Sequence, residues 1–318
     1  MTEKVNRIIA NIETVLIGKT DEIKIIVAAL LAGGHVLLED VPGTGKTVLA
    51  KALAKSFECD FSRVQFTPDL LPSELTGINF YNPKSGEFTF RQGSLFAHMV
   101  LGDEINRATP RTQSGLLESM EERQITVDGT TFVLPEPYFV IATQNPVETQ
   151  GTFPLPEAQL DRFLIQLNLG YPTAAESAAI LARFVRGGAP DPMAQLQNVC
   201  TREELLEMQR EVKNIFIHDV IYQYIADLAA ATRTHERVAL GVSTRGMLAL
   251  ARMAQAYCAV RGEAFVSPQD VRDMLPYVFA HRLIVKGGIG RRADTLQSIL
   301  EEVTASVTAP VENWKVKA

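Results

Sequence analysis

LLEDVPGTGKTVLA (residues 37–50) decides how the rest of the chain is read. It contains Gly45-Lys46-Thr47, the end of a phosphate-gripping loop, but the complete pattern G-x-x-x-x-G-K-[ST] asks for glycine where Asp40 stands. The short G-K-[ST] string is weak alone, since average composition yields it by chance in roughly one chain of this length in six. Its neighbourhood strengthens it. HVLLED (35–40) reads as a short buried strand, and TVLAKALAKSF (47–57) has apolar residues at helical spacing. Strand, glycine loop and helix in that order are the setting such a loop requires. The loop can turn its backbone N–H groups inward around phosphate oxygens, and the helix N-terminus adds favourable dipole charge. The expected nucleotide contacts are Val41, Pro42, Gly43, Thr44, Gly45, Lys46, Thr47 and Val48. Lys46 would reach the β and γ phosphates and the Thr47 hydroxyl would hold Mg²⁺. Asp40 falls at the strand end, where its side chain can point away from the loop.

A second motif adds what hydrolysis needs. AHMVLGDEINRA (97–108) is an apolar strand ending in two acids. Asp103 is expected at the metal, and Glu104 as the general base that orients and deprotonates the attacking water. The bland alternative is an exposed acidic pair capping the next loop. IATQNP (141–146) ends a further strand in polar residues, so Asn145 reads either as a contact to the γ-phosphate or lytic water, or as a turn residue before Pro146.

FSRVQF (61–66), PYFVIAT (137–143) and FLIQLN (163–168) complete a set of strands mostly separated by helical or irregular segments, the pattern of a parallel sheet covered on both faces. Two alternating stretches interrupt it, INFYNPKSGEFTF (78–90) and QITVDGTTFVL (124–134), the latter turning at Asp128-Gly129. They read as inserted hairpins, either partner or pore contacts or plain surface decoration. After GYP (170–172) the chain changes character. A Gly/Pro cluster at 187–192 suggests a linker, and helix starts follow at Thr201/Glu204, Ser243 and Ser267-Pro268/Asp270. The expected division is an α/β nucleotide-binding core over 1–186 and a helical domain over 193–318.

Composition sets outer limits. The net charge of −6 gives nucleic-acid binding no support, and the one basic run, HRLIVKGGIGRR (281–292), reads as a surface feature. No apolar run is long enough for a membrane span, and the N-terminus lacks the pattern of a secretory signal. Cys59, Cys200 and Cys258 have no metal spacing and read as thiols in a reducing, cytoplasmic setting. The five histidines, His35, His98, His218, His235 and His281, likewise read as structural.

The strings DVPGTGKT, QFTPDLLPSELTG, DEINRATPRTQSGLLESMEERQITVDG, ATQNPVETQGTFPLPEAQLDRF and GVSTRGMLAL together resemble the MoxR family of AAA+ ATPases, over nearly the whole chain. Many members carry an acid at the position of Asp40. The resemblance implies an AAA+ core with a parallel five-stranded sheet and inserted hairpins, followed by a small all-helical lid. It further implies ATP bound near Ile17 and Gly18, Asn145 as sensor 1, Arg162 as an arginine finger acting on a neighbour's ATP, and Arg245 as the sensor-2 arginine. Taken by themselves, Arg162 reads as a salt-bridging surface residue and Arg245 as a helix N-terminal contact. Whether Arg245 acts in its own subunit or the next is open. The catalytic set expected on this resemblance is Glu104, Asn145, Arg162 and Arg245, with Thr47 and Asp103 at Mg²⁺. Similar proteins form rings, here expected to be hexameric, that remodel or mature a partner complex, often one with a von Willebrand factor A domain. The rivals are a nucleic-acid motor of the same clade and a scaffold that ATP merely holds together. Ser94, where similar proteins often have proline, and Gly102, where alanine is common, are small departures.

Overall fold

The strand that leads into the phosphate loop, Val36–Glu39 (β1), lies fourth in a five-stranded sheet. The computed structural model describes residues 1–84, 86–145, 151–185, 192–287 and 293–310. The Gly/Pro cluster after residue 186 lies largely outside them, as do Pro146 and the end of the basic run.

The remaining strands are Phe61–Gln65 (β2), Ile78–Asn82 (β3), Glu87–Arg91 (β4), Met99–Asp103 (β5), Gln124–Val127 (β6), Thr130–Val133 (β7), Phe139–Gln144 (β8) and Ile165–Leu167 (β9), with the short Val238–Leu240 (β10) and Ile284–Val285 (β11) near the C-terminus. The helices are Thr2–Glu13 (α1), Thr20–Leu31 (α2), Lys46–Ser56 (α3), Pro72–Thr76 (α4), Pro110–Glu122 (α5), Glu157–Leu160 (α6), Ala174–Val185 (α7), Pro192–Gln195 (α8), Arg202–Val212 (α9), Asp219–Thr234 (α10), Thr244–Arg261 (α11), Pro268–Phe279 (α12) and Ala293–Ser306 (α13).

The sheet order is β2-β5-β8-β1-β9, and every pairing in it is parallel. Parallel strands covered on both faces need nearly continuous apolar runs, and β1, β5 and β8 have them, buried along almost their whole length. Leu37, Val100 and Val140 join Phe66, Leu116 and Phe163 in one core cluster. His35 is locked into this layer. Its Nδ1 accepts from the Val140 N–H at 3.0 Å and its Nε2 lies 3.1 Å from the Met120 carbonyl, which fixes the tautomer with the proton on Nε2.

The two hairpins form as the sequence predicts. β3 pairs with β4 and β6 with β7, both antiparallel, and Asp128 and Gly129 both adopt positive φ (49° and 80°), as the tight turn demands. The hairpins meet each other. Phe90 stacks on Phe132 with ring centroids 3.9 Å apart, and Asn79 donates to Asp128 at 2.9 Å. Tyr81 and Phe88 remain exposed at the outer end of β3–β4. At Ser94 the backbone N–H donates to the Glu74 carbonyl at 3.0 Å, a bond that proline could not make.

Two compact units result, Met1–Arg210 and Glu211–Ala318. The first continues well past the boundary expected from composition, and the reason is specific hydrogen bonding. The Asn11 amide exchanges bonds with the Gln197 backbone (2.9 and 3.2 Å), the Val199 and Cys200 N–H groups donate to the Ser56 carbonyl, and Gln209 donates to the Leu30 carbonyl at 2.7 Å. Residues 192–210 therefore belong with the α/β unit. The second unit is helical, α10 to α13, with β10 and β11 as one short antiparallel pair. Ser243 caps α11 and Gly262 ends it in a left-handed conformation, while Ser267 and Asp270 form a reciprocal capping box on α12. No helix among the described residues is long and apolar enough to cross a membrane.

Candidate active site

In an open parallel sheet, ligands gather at the carboxyl ends of the strands. Here β8 lies between β1 and β5, so the strand that feeds the glycine loop, the strand that ends at Gln144 and the strand that ends in Asp103 finish side by side.

Gly43 and Gly45 both have positive φ (87° and 92°), the conformation that lets the loop turn sharply, and Gly45 is the N-cap of α3. A Cβ on Gly45 would also stand 2.9 Å from the Leu16 side chain. The first N–H groups of α3 have no intrahelical acceptor, the feature that makes a helix N-terminus an anion site. Lys46 reaches back across the loop, its Nζ donating to the Asp40 carbonyl at 3.1 Å.

Asp40 itself is resolved by its partners. Its buried carboxylate accepts from the Leu169 N–H and, at 3.3 Å, from the Gly170 N–H. Both donors lie just past β9. The side chain points away from the phosphate loop and ties the end of β1 to the chain leaving β9, so an acid replaces glycine here without filling the loop.

Beside the loop is a cavity of about 300 Å³, lined by Val15, Leu16, Ile17, Lys19, Gly43, Thr44, Gly45, Val48, Pro172, Ile180, Arg183 and Met193. Ile17 and the glycine loop are thus brought to one mostly apolar pocket. Gly18 is not among its walls, but it turns with φ of 76°, and a Cβ there would collide with the Glu176 carboxylate at 2.0 Å. The α7 contributions, Ile180 and Arg183, carry no signal in the sequence because they reach the pocket only through the fold.

The two acids sit in a hydrogen-bond network. Asp103 Oδ1 accepts from the Thr143 hydroxyl at 2.7 Å and Oδ2 accepts from Arg63 Nη2 at 2.7 Å. Glu104 has a left-handed backbone (φ 57°, ψ 50°), and its N–H donates to Thr143 Oγ at 2.8 Å. Its carboxylate accepts from Gln65 Nε2 at 2.9 Å and lies 3.2 Å from Arg107 Nε. Arg63, Gln65, Arg107 and Thr143 were not picked out from the sequence. Arg63 and Gln65 alternate on one face of β2, and the register that pairs Gln65 with Asp103 brings that face to the acids. Gly102 packs so closely that a Cβ would lie 3.1 Å from Ile105 and 3.2 Å from Phe66.

The expected metal ligands, Thr47 at the second position of α3 and Asp103 at the end of β5, offer oxygen donors only, which suits a hard ion such as Mg²⁺ that keeps most of its own water. Among the described residues no group of three or more His, Cys, Asp or Glu could hold a metal unaided.

Asn145 is buried immediately after β8. Arg162 forms an ion pair with Glu121 of α5, Nε to Oε2 at 3.0 Å, and does not line the cavity of its own chain. Arg245 is exposed at the second position of α11, in the helical unit.

Known proteins agree with this architecture. Residues 35–165 match the ATPase family associated with various cellular activities (AAA), and residues 230–303 match the AAA lid domain. YeaC of Bacillus subtilis is 46% identical over 97% of this chain and 96% of its own. Chaperone MoxR1 of Mycobacterium tuberculosis is 37% identical over 96% of this chain and 82% of its own, and protein MoxR of Paracoccus denitrificans is 30% identical over 95% of each. The crystal structure of an ATPase candidate from Cytophaga hutchinsonii superposes with a TM-score of 0.89 at 34% identity, covering 98% of this chain and 96% of that one. With its parallel five-stranded sheet, glycine loop, acidic strand end and helical C-terminal unit, the chain belongs to the MoxR family of AAA+ ATPases.

Proposed function

We propose that this chain hydrolyses ATP at the interfaces of a ring, most simply a hexamer, and uses the energy in chaperone-like remodelling or maturation of a partner complex. The observation that carries the reading is the convergence of the glycine loop, the Asp103-Glu104 pair and Asn145 on one sheet edge, with an apolar cavity adjoining the loop.

The apolar cavity lined by Ile17, next to the turn at Gly18 in the chain, would take the adenine, and the loop from Val41 to Gly45 with Lys46 would take the phosphates. Thr47 and Asp103 would hold Mg²⁺, which neutralises charge on the β and γ phosphates. Glu104 would take a proton from the attacking water, and Asn145 would orient that water. The Gln65 amide and the Arg107 guanidinium both meet Glu104 at Oε2, and they would hold the carboxylate in place for that role. Arg162 would leave Glu121 and serve the ATP of the adjacent subunit, where a guanidinium matches the charge spreading over the γ-phosphate. Arg245 would report the nucleotide state to the helical unit. A von Willebrand factor A domain protein is the partner implied by the family, and the chaperone named among the relatives supports remodelling as the output. The three free thiols suit a reducing cytoplasm.

The test is phosphate release by concentrated protein with Mg²⁺. Lys46→Ala should abolish nucleotide binding, and Glu104→Gln should bind ATP without turnover. Lys46→Ala and Arg162→Ala chains should each be inactive alone and regain part of the activity when mixed, because some interfaces then combine an intact loop with an intact arginine. No recovery on mixing would reject sharing of the site between subunits.

A further inference from the structure

From the geometry around the acids we infer that Thr143 is a positioning residue that sets both the metal-side carboxylate and the general base. The inference rests on the ATPase reading above and adds a residue to it.

The hydroxyl of Thr143 is fully buried and uses both of its hydrogen-bonding directions on the acidic pair. It donates to Asp103 Oδ1 at 2.7 Å and accepts from the Glu104 N–H at 2.8 Å. With Arg63 on Oδ2, the two contacts fix the plane of the Asp103 carboxylate. The second bond has a different purpose. The β5–β8 register ends at Gly102 opposite Ala142, and Glu104 then turns left-handed, a conformation that non-glycine residues rarely adopt. Its N–H is thereby directed off the ladder, and a side-chain oxygen accepts it in place of a backbone carbonyl. One oxygen therefore helps orient the Asp103 carboxylate that would hold Mg²⁺ and holds the backbone turn that presents Glu104.

Thr143 is itself held rigidly. It pairs with Leu38 on β1, the strand that runs into the glycine loop, and it precedes Asn145 by two residues on the same chain. The two acids are thus tied by one buried side chain to the strand beside β1, two residues ahead of the sensor position. A partner that orients a metal ligand in this way is worth about 10- to 100-fold in metal affinity or activity when removed.

The experiment compares wild type, Thr143→Val, which keeps shape and removes the hydroxyl, and Thr143→Ser, which keeps the hydroxyl and removes the methyl. Thr143→Val should lower kcat by about 10- to 100-fold and raise the Mg²⁺ concentration for half-activation, with KM for ATP within about threefold of wild type. Thr143→Ser should restore kcat to within about threefold. Two readouts do not depend on turnover. The amide of Glu104 should exchange faster with solvent in Thr143→Val alone, and Mg²⁺ should lose its effect on the affinity of a fluorescent ATP analogue in that variant alone. If Thr143→Val matches wild type in kcat and Mg²⁺ requirement, or if both variants lose activity only in proportion to a lowered Tm, the inference is wrong. A wild-type chain that binds ATP but releases no phosphate would instead defeat the hydrolysis reading, and the exchange and Mg²⁺-binding measurements would still decide the role of Thr143.

Discussion

Asp40→Gly restores the glycine that the full phosphate-loop pattern requests, and the structure predicts that it harms the protein. Asp40 is 4% exposed, and its carboxylate accepts from two backbone donors, Leu169 N–H and Gly170 N–H. Hydrogen bonds to a charged group contribute about 1.5–3 kcal/mol each, and a donor left buried without an acceptor costs a similar amount. Leu169 is 1% exposed and takes the full loss, whereas Gly170 is half-buried, bonds at the longer distance of 3.3 Å and can recover part of its loss from water. Added chain entropy from glycine contributes about 0.5–1 kcal/mol more. The expected destabilisation is about 3 kcal/mol, which for a unit of this size corresponds to a fall of about 6–12 °C in Tm. The backbone contacts of Asp40, to Lys46 Nζ and to the Gln144 carbonyl, survive the change, so the loss is that of the carboxylate alone. Asp40→Asn keeps one side-chain carbonyl acceptor and should fall between the two. Urea unfolding of the three proteins, followed by a probe in the α/β unit, measures the difference, with ATP titration alongside. An Asp40→Gly chain within about 0.5 kcal/mol of wild type that binds ATP more tightly would refute the reasoning, because the acid would then be a tolerated defect of the loop and not a tie between β1 and the chain after β9.

Three further outcomes follow from buried and half-buried groups. Burial, and then the nearby Arg123 guanidinium, push the His35 imidazole down to about 3 against the opposing pull of the Met120 carbonyl. Its folded value lies below the unfolded value of about 6.5, so the unfolded chain takes up the proton first on acidification. Stability should be insensitive to this group above pH of about 6.5 and should fall below it by up to about 1.4 kcal/mol per pH unit until about pH 3. His35→Asn should show a shallower acid slope in urea unfolding at pH 7, 5.5 and 4.5, and parallel slopes would contradict the assignment. Burial also pushes the thiols of Cys59, Cys200 and Cys258 up to about 12, so Ellman's reagent at pH 8 should react slowly with native protein and promptly with all three after unfolding. Finally, Phe132→Ala removes the ring stacked on Phe90, and amides at 124–133 should exchange faster by an amount equivalent to about 1–2 kcal/mol while those of the parallel sheet do not change.

What could be read from the sequence was what lies within a few residues. The capping boxes at Thr201/Glu204 and Ser267/Asp270 and the Asp128-Gly129 turn are local bargains between neighbours, and each forms as written. The glycine loop and the acidic pair are contiguous strings for the same reason. The rest depends on strand order, which no window of sequence contains. Asp40 finds its partners 129 and 130 positions later, and α7 reaches the cavity from beyond β9. Arg63 and Gln65 look like ordinary polar positions on an edge strand until β2 is paired with β5. That pairing puts Gln65 opposite Asp103, and the pairing of β8 with β1 puts Thr143 opposite Leu38. Side chains alternate faces along a strand, so a slip of one residue in β2 would turn Arg63 and Gln65 into the core and bring buried Val64 to the acids. The apolar core that forbids such a slip is therefore also what positions the polar network, and the two acids are only as well oriented as the packing behind them.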